Sequence, residues 1–144
     1  MCLVTNQLKP TTIRKDRKVW VVRRVEEEVL CSPFMRTFIW IEGKEYETSL
    51  DIPKEPFPKM EVYRGFHSFA NKENAEALAI SLNSGSCFDR RNGGSFIVRG
   101  GIIPKGSKVY TGKTSRVIRE RERLSKLINN VKGYVSNRLI TCKE

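Results

Sequence analysis

Histidine is scarce in this chain, and its cysteines form no local pair, so several kinds of site are excluded. His67 is the one histidine among 144 residues, which excludes a phosphodiesterase built on two His-x-Ser/Thr motifs. The four cysteines stand far apart without a Cys-x-x-Cys motif, and one imidazole adds too little for a zinc site. We therefore expect reduced thiols, no metal site and no cofactor.

Long apolar runs are missing as well. No stretch approaches the length of a membrane-spanning helix, and the first 18 residues carry positive charges without an apolar core behind them. Hydrophobic residues make up 39% of the chain and charged residues 30%, both near the averages of globular proteins. These properties predict a cytoplasmic protein of one domain that has no membrane partner.

Acidic residues are scarce only in the C-terminal part of the chain. Residues 89–144 carry 14 Lys and Arg against 4 Asp and Glu, whereas residues 1–88 carry 13 against 12. The formal net charge of +11 therefore comes almost wholly from the C-terminal part. A field of one sign attracts polyanions and phosphorylated ligands, although the same excess also keeps a protein soluble.

Strand signals are spread over most of the chain. Val and Trp are frequent in residues 18–32, and residues 134–141 alternate as a closing strand does. The turn residues Glu42 and Gly43 indicate a hairpin between two short strands. Residues 95–104 form another strand signal, in which the Gly pair at 100–101 predicts a bulge.

Two segments have helical patterns. Asn71 is placed to cap a helix, and apolar residues follow it at helical spacing before Asn83, Ser84 and Gly85 end the run. These apolar residues are Ala75, Leu78, Ala79 and Leu82. Residues 116–132 form a second, strongly charged helical pattern with one apolar stripe.

Together these signals predict an α+β fold. We expect a single domain over residues 18–144, mainly an antiparallel sheet of about six to seven strands with two helices. Residues 1–17 are polar, contain Pro10 and predict an N-terminal arm or an irregular edge.

Short glycine motifs do not form a known phosphate loop. In residues 100–107 the order is Lys105, Gly106, Ser107, whereas a triphosphatase loop needs its lysine after the last glycine, at the start of a helix. Glycine pairs beside basic residues can still expose backbone amides to an anion. A turn or bulge is the simpler interpretation.

One enzymatic alternative depends on a resemblance. Arg64 in "YRG", Ser95 in "GGSF" and the pair Glu120 and Glu122 follow the chain order of an Arg, a Ser and a Glu-x-Glu. This order resembles one branch of the ADP-ribosyltransferases, which implies an NAD-dependent transferase. The match departs from the family where the glutamates lie within "RERER" on a predicted helix, a pattern typical of a solvated surface.

A second alternative is a basic nucleic-acid-binding protein. Aromatic residues are interspersed with the positive charges, and stacking rings beside a basic groove bind single strands. These residues are Tyr63, Phe66, Phe69, Phe88, Phe96 and Tyr110. Most of them alternate within strands, where a hydrophobic core is equally expected.

Three segments together resemble a family. "RGFHSF" before a helix, "IIPKGSKVYTG" and "GYVSNRLI" are similar to segments of small phage and Bacteroides-type proteins, and they lie within a span of about half of the chain. The resemblance carries no catalytic assignment. It suggests that residues 116–132 are an insertion between two strands that pair, and that the protein works in the host cytoplasm if a phage encodes it.

The leading prediction is non-enzymatic binding of a phosphorylated, nucleotide-type ligand. A phage protein of this kind would sequester a nucleotide signal of host defence, and we expect a homo-oligomer whose subunits share basic pockets. His67 is expected to be a structural residue at a strand-to-helix corner, and its functional alternative is to contact an anion together with Arg64. The candidate ligand contacts are Arg64, His67, Arg90, Arg91, Arg99, Lys105 and Arg138, with Tyr63 or Tyr110 as stacking faces; no catalytic residue is assigned.

Overall fold

The computed structural model describes residues 3–26, 29–31, 39–50, 60–62, 64–83, 95–114 and 131–142. Within these ranges the chain forms twelve strands and one α-helix. The elements are β1 (Leu3–Thr5), β2 (Thr11–Thr12), β3 (Arg17–Glu26), β4 (Val29–Cys31), β5 (Ile39–Trp40), β6 (Glu45–Glu47), β7 (Met60–Val62), β8 (Phe66–Phe69), α1 (Lys72–Asn83), β9 (Ser95–Ile103), β10 (Lys108–Thr114), β11 (Lys132–Ser136) and β12 (Arg138–Thr141). No helix in this part of the chain is long and apolar enough to cross a membrane.

All strands belong to one antiparallel sheet that closes on itself. Nine strands follow the order β6-β12-β9-β3-β8-β11-β10-β1-β7, while β2 pairs with β10, and β4 joins β5 to β3. Only Asn137 separates β11 from β12, and these two strands pair with β8 and β9, the two neighbours of β3. The path β3-β9-β12-β11-β8 therefore returns to β3 and forms a ring.

The sheet has two different faces. We call the face that carries Val19, Val21 and Leu139 the inner face, because these residues belong to one buried cluster at the centre of the ring. The opposite face carries Val22 and Phe69, packs against α1, and is called the helix face. Since side chains alternate along a strand, each residue of β3 is assigned to one face by its number.

The predicted helix after Asn71 is confirmed as α1. The four apolar positions that predicted it are all buried against the helix face, whereas Ile80 on the far side is 64% exposed. The Asn83 side chain then donates to the carbonyl of Phe96 and accepts from its amide, at 2.9 and 2.8 Å. These two bonds fix the end of α1 to the start of β9.

The predicted α+β class with a mainly antiparallel sheet is confirmed, but the element counts are wrong. Twelve strands replace the expected six to seven, because short strands of two or three residues arise from pairing with distant partners and leave no period in the sequence. The turn at Glu42 and Gly43 does connect two strands, β5 and β6. They pair with β4 and β12 instead of with each other, so the predicted hairpin is wrong.

The predicted bulge at residues 100–101 is also wrong. The ladder between β3 and β9 runs without a break from Arg17 opposite Ile103 to Val25 opposite Ser95. A Cβ on Gly101 would lie 3.2 Å from the Val19 side chain and 3.3 Å from the Ile140 carbonyl. Close strand packing, rather than a bulge, accounts for this glycine.

Residues 1–17, the expected arm, contribute to the sheet. Strand β1 pairs with β10 and β7, and its Leu3 side chain is buried. Of the predicted helix over 116–132, residues 116–130 lie outside the described residues, and Lys132 already begins β11. Strands β10 and β11, on either side of that segment, pair with each other over five residues.

Candidate functional site

The predicted ligand contacts do not form a single group in the described structure. Tyr63, Arg90 and Arg91 lie outside the described residues. Arg64 is exposed in the bend before β8. The remaining candidates occupy separate places. Lys105 and Arg138 lie at the turn between β9 and β10, and Arg99 lies on the inner face. His67 belongs to β8 and Tyr110 to β10.

Lys105 and Arg138 are neighbours at the turn between β9 and β10. A guanidinium nitrogen of Arg138 donates to the Lys105 carbonyl at 3.4 Å, while two others donate to Glu45 at 3.0 and 2.8 Å. Arg138 thus already has a carboxylate partner. Tyr110 is 2% exposed and packs with Leu3 in another buried cluster, so its ring offers little surface for stacking.

His67 lies on the opposite face of β8 from Ser68, beside the bend that Gly65 makes. Gly65 has a φ of +137°, which a residue with a Cβ rarely adopts. Burial lowers the pKa of His67 to about 4, and hydrogen bonds to the backbone at Val62 and Gly65 offset only part of this effect. Its Nε2 is buried and has no hydrogen-bond partner. The ring is therefore neutral at pH 7, as a packed corner residue would be.

The buried His67 makes the protein sensitive to mild acid. A histidine whose folded pKa lies below its unfolded value of 6.5 contributes stability that is complete above pH 6.5 and is lost as the pH falls through about 4. We expect the free energy of unfolding to fall by about 3 kcal/mol more in the wild type than in His67→Phe between pH 7 and pH 4. Urea denaturation at several pH values measures this difference, and an NMR titration of the one imidazole giving a pKa near 6.5 would contradict it.

Arg99 is the predicted contact that faces the inside of the ring. It lies directly opposite Val21, an inner-face residue of β3. Arg23, two residues further along β3, is on the same face and is a diagonal neighbour of Arg99, a position typically about 7–8 Å away. Ser68 on β8 faces the same side, since its pairing partner is the inner-face residue Tyr134. We call Arg23, Arg99 and Ser68 the inner arginine cluster.

Arg23 is held tightly although it is a buried cation. It is 4% exposed, and its terminal nitrogens donate to the Val22 carbonyl and to Thr141 Oγ1, both at 3.1 Å. Its guanidinium also lies 3.9 Å from the centroid of the Trp40 ring, a cation–π contact. No carboxylate pairs with it among the described residues, and burial lowers the pKa of Arg23 to about 9.

Three polar atoms of the inner arginine cluster lack partners. Arg23 Nε, Arg99 Nε and Ser68 Oγ are buried and make no hydrogen bond. A buried donor without an acceptor typically costs about 1–3 kcal/mol. Two guanidinium groups also repel each other unless an anion lies between them. The cluster therefore has both the donors and the charge to hold a phosphate or carboxylate group.

The members of the inner arginine cluster differ in exposure. Ser68 is 3% exposed and Arg23 is nearly as buried, whereas Arg99 is half-buried. Trp40 and Phe66, whose ring centroids are 5.2 Å apart, border the cluster on the inner face. Arg99 is therefore the most exposed member of the cluster.

Arg99 was predicted as a contact, but Arg23 and Ser68 were not. Residues 23–24 are two consecutive arginines, which in sequence suggest an exposed basic spot rather than two buried side chains. The available signal was the apolar composition around them, "VWVVRRV", because a strand buried on both faces reads as a nearly continuous apolar run. Arginines within such a run are candidates for buried sites.

Only two of the four residues on which the transferase alternative depends are described by the structure. Arg64 lies in a bend and Ser95 at the exposed start of β9, while Glu120 and Glu122 lie outside the described residues. Within the described ranges, no group of three or more His, Cys, Asp or Glu side chains is placed to hold a metal ion.

Comparisons with protein-family models, with curated proteins and with solved structures give no match to this chain. The resemblance to small phage and Bacteroides-type proteins stays a prediction. The candidate site is therefore argued from its geometry alone.

Proposed function

We propose that this protein binds a phosphorylated, nucleotide-type ligand without chemical turnover, and that the inner arginine cluster holds its phosphate. The observation that carries the proposal is the set of three buried, unpartnered polar atoms on Arg23, Arg99 and Ser68. A phosphate oxygen accepts hydrogen bonds from the planar fork of a guanidinium two at a time. One phosphate would satisfy donors from two neighbouring strands.

Binding is proposed in preference to catalysis because of the side chains around the cluster. The described groups that face it are guanidinium, hydroxyl, aromatic and aliphatic groups, which hold and orient an anion. A general base must accept a proton near neutral pH, and the neutral His67 ring lies on the other face of β8. Trp40 and Phe66 border the cluster but are 5% and 9% exposed and pack on each other, so the nucleotide class of the ligand is proposed from the basic composition of the chain.

Sequestration of a nucleotide signal of host defence would follow if the ligand dissociates slowly. A homo-oligomer with shared basic pockets stays a prediction, which sedimentation velocity of the purified protein tests. Ligand carried through purification would be released by denaturation and identified by mass spectrometry.

The direct test is a stability screen against inorganic phosphate, mononucleotides, ADP-ribose and cyclic dinucleotides. A ligand at 100 times its Kd should stabilise the wild type by about 2.7 kcal/mol. We expect Arg99→Gln to lose this stabilisation, because Arg99 supplies a buried donor without a partner and is the most exposed member of the cluster.

The matched control is Arg138→Gln, which removes the same charge from an arginine that is already paired with Glu45 outside the cluster. It should keep the full stabilisation by ligand. If Arg99→Gln responds to the ligand as the wild type does, or if no phosphorylated compound stabilises the wild type, the proposal is wrong.

A further inference from the structure

A basic surface with aromatic rings lies at the end of the ring where β3, α1 and β11 begin. Arg17 and Lys18 open β3, Lys72 opens α1, and Lys132 opens β11. The Ala70 amide donates to the Lys132 carbonyl at 3.2 Å, which joins the start of α1 to β11. Two of these cations, Lys18 and Lys72, lie on the helix face, whereas Arg17 and Lys132 lie on the inner face.

These cations surround two aromatic rings. The ammonium groups of Lys18 and Lys72 lie 5.1 and 5.3 Å from the centroid of the Trp20 ring. The Tyr134 ring has Arg17 at 5.0 Å and Lys132 at 5.8 Å. Because Trp20 belongs to the helix face and Tyr134 to the inner face, only Lys18, Lys72 and Trp20 share a surface, and we call these three residues the Trp20 patch.

The charge of the Trp20 patch is not neutralised locally. Neither of its two lysines forms an ion pair with a carboxylate in the part of the chain that the structure describes. The nearby Asp16 instead accepts a hydrogen bond from the Lys105 backbone at 2.8 Å. Unpaired cations spaced around a half-buried indole make a surface that favours a chain of phosphates.

We infer that the Trp20 patch binds single-stranded nucleic acid, with phosphates at Lys18 and Lys72 and a base against Trp20. Base–aromatic stacking tolerates any sequence and typically contributes about 1–3 kcal/mol per base. This activity is distinct from the proposed binding of a small ligand, because it uses the opposite end of β3 from Arg23.

Other polyanions fit the patch less well. A lipid bilayer would be expected to bind exposed apolar side chains beside the charge, yet the large exposed hydrophobic residues, Leu8, Ile41 and Ile80, belong to other parts of the described surface. A phosphopeptide presents one phosphate and needs a compact fork of donors, whereas here the two ammonium groups come from two different elements, β3 and α1.

The test is fluorescence anisotropy of a labelled 15-nucleotide oligo(dT) with the full chain at several salt concentrations. We expect Lys18→Gln with Lys72→Gln to weaken binding at least tenfold and to reduce the slope of log K against log salt by about 1.4, since each lost phosphate contact removes about 0.7. Both lysines are exposed, so the fold should survive, and an unchanged melting temperature checks this.

The matched control is Lys9→Gln with Lys44→Gln, which removes two exposed charges outside the patch. It should retain most of the affinity. Equal weakening in both double variants, absence of oligo(dT) binding in the wild type, or tighter binding to duplex DNA or anionic vesicles would each overturn the inference. Because the Lys18 and Lys72 double variant should still be stabilised by the small ligand, the two proposals can fail separately.

Discussion

The variant Arg23→Met is expected to be more stable than the wild type at pH 7, by about 1–3 kcal/mol in the absence of ligand. Burial lowers the pKa of Arg23 from its ordinary value to about 9, so the folded state disfavours the charged form by roughly 5 kcal/mol. Methionine removes this penalty and fills similar space. Its gain is smaller than the penalty because the bond to Thr141 and the stacking on Trp40 are lost.

The pH dependence of this difference identifies its cause. Because the folded pKa of Arg23 lies below its unfolded value, its buried charge destabilises the fold fully below about pH 9. This destabilisation decreases as the pH rises above 9. The free energy of unfolding of the wild type should therefore rise, relative to that of Arg23→Met, by about 1.4 kcal/mol per pH unit above pH 9. Lysines, tyrosines and thiols titrate alike in both proteins, so the difference between the two isolates Arg23.

Urea denaturation at pH 7, 8, 9.5 and 10.5 measures both effects. Arg138→Met is the control, because Arg138 is partly exposed and paired with Glu45, and it should show no gain relative to the wild type at pH 7. A loss of more than 2 kcal/mol in Arg23→Met at pH 7, with a constant difference up to pH 10.5, would show that Arg23 is a stabilising core residue. The variant should also lose stabilisation by a phosphorylated ligand, since it lacks one side of the cluster.

A large loss of stability is expected for Phe69→Ala. Phe69 is 1% exposed on the helix face, where it packs with Val22 and Leu78 and pairs across strands with Trp20. Truncating a buried phenylalanine removes its transfer free energy and leaves a cavity, which together typically cost about 3–5 kcal/mol. This value is comparable to the total stability of many domains, so the variant should be partly unfolded at 37 °C.

Ile80→Ala is the control for Phe69→Ala. Ile80 lies on the same helix that Phe69 packs against, but its side chain is 64% exposed, so the expected change is below about 0.5 kcal/mol. Chemical denaturation followed by circular dichroism compares the two. Similar losses in both variants would mean that α1 does not pack on Phe69 as described.

These predictions separate stability from function within one sheet. Arg23 and Arg24 are consecutive, yet they lie on opposite faces and are 4% and 0% exposed. The buried charge of Arg23 on the inner face lowers the stability of the fold. Binding of an anionic ligand would explain why the protein has an arginine at this position. Buried charges that bind no ligand can commonly be replaced by apolar residues without loss of stability.

Some features of this protein were determined by the sequence alone. The helix α1 was predictable because its apolar stripe and its cap are local, and a period of 3.6 residues is visible without knowing what the stripe packs against. The strands β3, β9, β11 and β12 lie in segments whose composition or alternation predicted strands. The concentration of positive charge in residues 89–144 is likewise a property of the sequence.

The tertiary structure decided which strands pair and which charges are buried. Three features depend on pairing between residues that are far apart in the chain. They are the closure of the ring at Asn137, the unbroken ladder past Gly101 and the pairing of β6 with β12. No local sequence pattern encodes which strands pair in this way. The sequence placed Arg99 among the candidate contacts, but only the register of β9 on β3 puts it beside Arg23. Burial depends on the face that a residue occupies, and that face is set by long-range pairing.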